Sequence, residues 1–209
     1  MFEALFNRTS QRAKASKRRV FHEASRVSLG HEYYRTLASP LDVRPELVQA
    51  ISVIETADKA FTARGFPVVR LELASWCKYP RATRAAMAFD KARNTSDLNA
   101  RWHQFVAMHK ADPVAAVLCH SFGWPQIMGF NHRACEFEDE QNFLRSMRTV
   151  DGQGRAFAGF VQSSPRLHAA MKSEAVQDIA RHYNGSGYKR NRYDTKLANL
   201  LDGGAHAWA

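Results

Sequence analysis

The sequence predicts an α-dominant (α+β) domain with one small β element, preceded by a basic N-terminal arm. Three observations carry this expectation. Apolar residues recur at helical spacing over most of the chain beyond residue 42. One short run, residues 66–73, reads instead as an extended segment rich in β-branched side chains. Cations crowd the first thirty residues, where seven Lys or Arg stand against two Glu.

Composition sets the outer bounds. A chain of 209 residues, 45% hydrophobic and 11% aromatic, is globular and long enough to bury a core. No apolar run approaches the roughly 18 residues needed to span a bilayer. The formal net charge of +10 attracts polyanions: nucleic acid, anionic lipid, lipopolysaccharide or carboxylate-bearing wall polymers. Charge alone does not choose among them. Cys77, Cys119 and Cys135 form an odd, sparse set that argues against a disulfide framework. A zinc site from Cys119, His120, His132 and Cys135 lacks workable ligand spacing, so neither metal nor cofactor is expected.

The arm comprises residues 1–38, and the domain is expected over 39–209. Phe2, Leu5, Phe6, Val20, Phe21, Val27 and Leu29 are scattered among its charges. The arm reads either as a solvated, partly helical extension or as an amphipathic segment that docks on anionic membrane or lipopolysaccharide. Its short apolar start precedes Arg8, Arg12, Lys14, Lys17, Arg18 and Arg19, which reverses the order of a secretory signal. The chain is therefore expected to be made in a cytosol without an export signal.

Residues 42–55 predict the first helix, with Asp42 as N-cap and Pro45 in the first turn. Leu47, Ile51 and Ile54 fall at i, i+4 and i+7, and Val48 widens the stripe. At 100° per residue, Glu55 lies about 80° from Leu47, between Ile51 and Val48, on the apolar side. In the extended run, alternation puts Arg70 and Glu72 on one side and Val69, Leu71 and Leu73 on the other. Helices are then expected at about 83–92, 97–109, 113–121, 138–150, 152–163, 173–183 and 191–201. Asp112-Pro113 and Ser173-Glu174 read as helix starts, and Asn184-Gly185 as a stop.

Three features carry chemistry. Glu55, alone on an apolar stripe, meets the condition for an acid that burial keeps protonated near neutral pH. The plainer reading is a helix-end glutamate bonded to a neighbouring turn. Downstream lies Ser121-Phe122-Gly123-Trp124-Pro125-Gln126-Ile127-Met128-Gly129-Phe130-Asn131-His132. Gly123 and Gly129 permit close approaches closed to other residues, and Gln126 offers both donors and an acceptor. Trp124 or Phe122 could stack on a sugar ring, although each also has an ordinary core explanation. The third feature is Tyr183-Asn184-Gly185 at a helix end, with Tyr183 presenting a ring and a hydroxyl.

In this order and at this spacing, the chain resembles the phage N-acetylmuramidase family of endolysins. The resemblance runs from about residue 39 to 202. It covers Glu55, Phe61, Gly65, Pro67 and Glu72, then Ser121, Gly123, Gln126, Ile127, Met128 and Gly129. The Tyr183-Asn184-Gly185 turn and the tail from Tyr188 to Lys196 complete it. The loop departs from the usual family pattern at Phe122, Trp124 and Pro125. The resemblance implies a lysozyme-like helical fold and a glycosidase that cuts the β-1,4 bond between N-acetylmuramic acid and N-acetylglucosamine of bacterial peptidoglycan. It implies Glu55 as the general acid and Glu72 as a second carboxylate in the cleft. Ser121, Trp124, Gln126, Tyr183 and Asn184 would then contact substrate. An endolysin waits in the host cytoplasm until released and acts on the wall in the periplasm.

Other readings remain. A lytic transglycosylase on the same fold would use a single glutamate. A nucleic-acid-binding protein would fit the charge, but no recognised binding motif is present, and no nucleic-acid partner is expected. A wall-binding or membrane-disrupting protein with a dead groove is a third class. A monomer is expected. Stereochemical outcome depends on the carboxyl–carboxyl distance, which sequence spacing does not set. Were Glu72 merely structural, the second carboxylate would be sought among Asp58, Asp90 and Asp97.

Overall fold

The computed structural model describes residues 29–72 and 95–203. Residues 1–28 of the arm, Leu73, Cys77, Asp90 and the helix expected at 83–92 lie outside the described residues. Helices α1 (His31–Ala38) and α2 (Pro45–Thr56) open the described part. Strand β1 (Val69–Leu71) is followed by α3 (Leu98–Ala111) and α4 (Pro113–Leu118). A hairpin of β2 (His120–Phe122) and β3 (Ile127–Met128) precedes α5 (Glu140–Ser146) and α6 (Val150–Gln162). Helices α7 (Pro165–Lys172), α8 (Val176–Asn184) and α9 (Tyr193–Asp202) complete it. The fold is mostly helical with a small sheet, as the sequence predicts.

Most helices start where short polar side chains satisfy the orphan N–H groups of the first turn. Asp97 accepts from Asn99 and Ala100, Asp112 from Ala115, Asp139 from Asn142, Thr149 from Gly152 and Ser164 from Leu167. Asp112-Pro113 is thus a start, as its sequence indicates. Asp42 is not the cap of α2: Arg44 holds that position and Pro45 is N1, while Asp42 closes a 3-10 turn in a left-handed conformation. Ser173-Glu174 ends α7 rather than starting a helix, with Glu174 at φ 54°. Helix α7 itself was signalled by Ser164-Pro165, a capping serine followed by an N1 proline.

The expected helix at 113–121 stops at Leu118, and the chain enters β2. The run Val117 to Phe122 sets His120 and Ser121 among apolar residues and is locally ambiguous, and its pairing with β1 decides the outcome. The sheet is antiparallel in the order β1-β2-β3. Its register sets Arg70 opposite Ser121 and Ser121 opposite Met128, forming one row across the three strands.

Two core clusters form. One gathers α1, α2 and α6 to α9 around Tyr34, Leu47, Ile51, Trp124, Phe157 and Ile179. The other packs the sheet against α3 to α5 around Phe105, Phe122 and Phe143. Phe160 and Tyr183 touch both, so they mark the seam where the clusters meet. Helix α1 belongs to the folded body, although it falls within residues 1–38. Leu29, Tyr34 and Ala38 are buried, and α1 packs directly against α2.

Candidate active site

A solvent-open cleft of about 410 Å³ lies at that seam. Glu55, Glu72, Ser121, Gln126, Tyr183 and Asn184 all line it, although four separate segments of the chain deliver them. Trp124 does not.

Glu55 occupies the last turn of α2. Immediately after it, Ala57 and Asp58 adopt left-handed conformations at φ 53° and 61°, so the chain turns away sharply. Asp58 holds that turn by accepting from the Tyr34 hydroxyl and from Ser52 Oγ. Burial raises the Glu55 carboxyl from 4.5 to about 7. Its position at a helix C-terminus, where the dipole disfavours an anion, acts in the same direction. Opposing this, the Tyr193 hydroxyl, Arg70 and Lys196 favour the charged form, while Glu72 disfavours it. The Tyr193 hydroxyl is buried and approaches the carboxyl without completing a full hydrogen bond. Glu55 is thereby divided between protonated and ionised forms near neutral pH.

Glu72 follows β1, its N–H bonded to the Cys119 carbonyl at 2.9 Å. Partial burial raises its carboxyl, and Arg70, whose Nε lies 3.2 Å from Glu72 Oε1, lowers it. The strand alternation foreseen for Arg70 and Glu72 thus delivers both to the cleft.

The hairpin connecting β2 to β3 is stiff. Gly123 takes φ +70°, and a Cβ there would lie 2.5 Å from the Gln153 side chain. Gln126 also has positive φ, at 50°. Its amide accepts from Ser121 Oγ at 2.8 Å and donates to the Gly123 carbonyl at 2.8 Å. Both ends of the Gln126 amide are engaged within the hairpin, so its first role is to brace it. Tyr183 braces the same loop by donating to the Pro125 carbonyl at 2.7 Å. Asn184 differs: its Nδ2 is buried at the cleft and has no partner among the described residues. That donor is unused within the described fold.

The expectation that Trp124 stacks on a sugar is corrected. Trp124 is 0% exposed, packed against Phe157 and Tyr34, with its indole N–H donated to the Tyr33 hydroxyl. Phe122 is equally buried, in the second core cluster. Sequence reasoning also missed Gln153, whose side chain accepts from Trp124 N–H and donates to the Ala60 and Met147 carbonyls. A polar residue flanked by two glycines inside a helix was its signal. Among the described fallback acids, Asp58 is committed to Tyr34 and Ser52, and Asp97 caps α3. Cys119 and Cys135 are both buried.

The N-acetylmuramidase family profile matches residues 44–203, most of the chain and every residue just placed in the cleft. The chain belongs to the N-acetylmuramidase family. Its membership places it among glycoside hydrolases of peptidoglycan. Among solved structures, the chain is similar to the Burkholderia AP3 phage endolysin, with 27% identity and a TM-score of 0.68. That match covers 84% of this chain and 70% of the endolysin chain. No match to the chain is found among curated proteins. Among the described residues, no helix is long and apolar enough to cross a membrane.

Proposed function

We propose that the cleft hydrolyses the β-1,4 bond between N-acetylmuramic acid and N-acetylglucosamine, with Glu55 as general acid. The observation that carries this reading is the contrast between two glutamates in one cleft. Burial raises Glu55 to about 7; it raises the less buried Glu72 too, but there Arg70, with Nε 3.2 Å from Glu72 Oε1, acts directly to favour the charged form. Glu55 passes its proton to the glycosidic oxygen as the carbon–oxygen bond breaks. Glu72 faces the positive charge developing at the anomeric carbon and takes a proton from the entering water. A final proton exchange with solvent resets both groups. Asn184 Nδ2 supplies a buried donor for a sugar carbonyl or hydroxyl, and the hairpin braced by Ser121, Gln126 and Tyr183 keeps the wall rigid.

Similarity to a phage endolysin supports a role in host lysis, with the enzyme held in the host cytoplasm and acting on the periplasmic wall. The seven Lys or Arg of residues 1–28 supply attraction to anionic membrane or lipopolysaccharide.

The deciding experiment is mass spectrometry of purified peptidoglycan after digestion. New N-acetylmuramic acid reducing ends are expected. Anhydro-muramic ends would instead identify a lytic transglycosylase, and N-acetylglucosamine reducing ends would overturn the bond assignment.

A further inference from the structure

We infer that Phe130 is the stacking platform for a pyranose ring in this cleft and sets substrate affinity rather than chemistry. The inference rests on the reading of the cleft as a glycan site. Among the described residues, Phe130 and Val114 are the large apolar side chains left exposed, and Phe130 lines the cleft. Phe130 is 49% exposed and belongs to neither core cluster. A ring left half wet forgoes much of the burial free energy available to it, so the fold gains little from its position.

The ring is also carried on a fixed support. It sits in the 3-10 turn Gly129–Asn131, and Gly129 packs so tightly that a Cβ would lie 2.1 Å from the Val117 carbonyl. His132 N–H bonds Gly129 O at 3.1 Å, and Cys135 N–H bonds Asn131 O at 3.0 Å. An aromatic side chain on such a turn has little conformational freedom to lose on binding. Around it the cleft is mostly polar, with Glu55, Arg70, Glu72, Asn184, Arg190 and Asn191. A sugar chain has matching chemistry: hydroxyls and amides at its edges, and a face of C–H groups that suits the negative face of an aromatic ring. The two aromatics that sequence suggested for this task, Phe122 and Trp124, are both in the core. The unpartnered Asn184 Nδ2 independently marks the same cleft as built for a ligand.

The test uses Phe130→Ala, Phe130→Leu and Phe130→Trp in the full chain. Steady-state kinetics are read on solubilised peptidoglycan. Calorimetry on a Glu55→Gln background measures binding of a peptide-free tetrasaccharide of alternating N-acetylglucosamine and N-acetylmuramic acid. Phe130→Ala and Phe130→Leu should raise KM and Kd about tenfold, equivalent to about 1.4 kcal/mol, with kcat within about twofold. Phe130→Trp should retain wild-type affinity or improve it. Melting temperatures should stay within about 2 °C of wild type, as for an exposed side chain. Phe130→Leu matching wild type would show that only apolar bulk matters and overturn the stacking role. Equal loss of kcat and stability in Phe130→Ala would make the ring structural and also overturn it. Wild-type protein that releases reducing ends while Phe130→Ala binds normally defeats this inference alone. Wild-type protein that neither cleaves nor binds the tetrasaccharide defeats the proposed function as well.

Discussion

Trp124 donates its indole N–H to the Tyr33 hydroxyl at 3.1 Å, joining the cleft hairpin to a helix outside the family-matched residues 44–203. The same hydroxyl donates to the Val150 carbonyl at 3.1 Å, at the start of α6. Tyr33 therefore ties α1, the hairpin and α6 together at one point. Its neighbour Tyr34 donates to Asp58 in the turn just after Glu55. Helix α1 thus supports both the acid and the loop without lining the cleft.

Tyr33→Phe should lower stability by about 1–3 kcal/mol, because it leaves a buried indole N–H without its acceptor. Urea denaturation measures this. Truncation offers a stronger contrast. A chain beginning at residue 39 should lose at least about 3 kcal/mol relative to one beginning at residue 29, since it lacks the fully buried Tyr34. Equal stability of the two truncations would mean that α1 is dispensable to the fold.

Glu55→Gln should reduce wall hydrolysis at least about a hundredfold while preserving the fold, because the amide keeps the shape and has no acid proton to transfer. Its effect on stability has a defined pH dependence. The folded carboxyl titrates at about 7 against an ordinary 4.5, so the folded state binds the proton more tightly than the unfolded chain. Stability should fall as pH rises from about 4.5 to 7 and level off above that, by at most about 3 kcal/mol from this group before screening at the open cleft. In Glu55→Gln that component of the slope should vanish. Denaturation midpoints for both proteins between pH 4 and pH 8 read the difference directly.

Glu72→Gln should lower kcat strongly with little change in affinity, as expected for a group acting in the transition state. Arg70→Gln tests the electrostatics of both carboxyls at once. Arg70 lowers Glu55 and Glu72 alike, so its removal raises both. The pH profile of kcat/KM should keep an acid limb from Glu72 and an alkaline limb from Glu55, and both limbs should move to higher pH. A profile that narrows or moves to lower pH contradicts this assignment of the two limbs.

The features legible in the sequence are those set by local periodicity. Glu55 was placed on the inner face of α2 by helical stepping, and Arg70 and Glu72 on one side of β1 by alternation. Features set by contacts distant in sequence were not legible. The hydroxyl that accepts the Trp124 indole N–H is 91 residues away, so its ring could be read as either core or cleft. Strand β2 lacks an extended pattern of its own and exists because β1 and β3 pair with it on either side. Gln126 and Tyr183 were found as cleft residues, but the engagement of their polar atoms within the hairpin follows only from the loop's folded path.

Gln153 gives the sharpest test of that hidden support. It is fully buried in α6 and satisfies groups from three segments: the Trp124 N–H at 2.8 Å, the Met147 carbonyl at 2.9 Å and the Ala60 carbonyl at 3.3 Å. Gln153→Ala leaves all three without this partner and should cost about 3 kcal/mol or more. Gln153→Glu separates hydrogen bonding from shape. It retains an acceptor for Trp124 but loses the two amide donors and introduces a carboxyl into a dry site. Burial should raise that carboxyl in the folded protein, so the penalty should grow as pH rises through the ordinary range for glutamate and shrink in acid. Thermal melts at pH 4 and pH 8 should therefore show a larger gap from wild type at pH 8. A gap independent of pH would mean that the introduced group reaches solvent and that Gln153 does not seal the hairpin against α6.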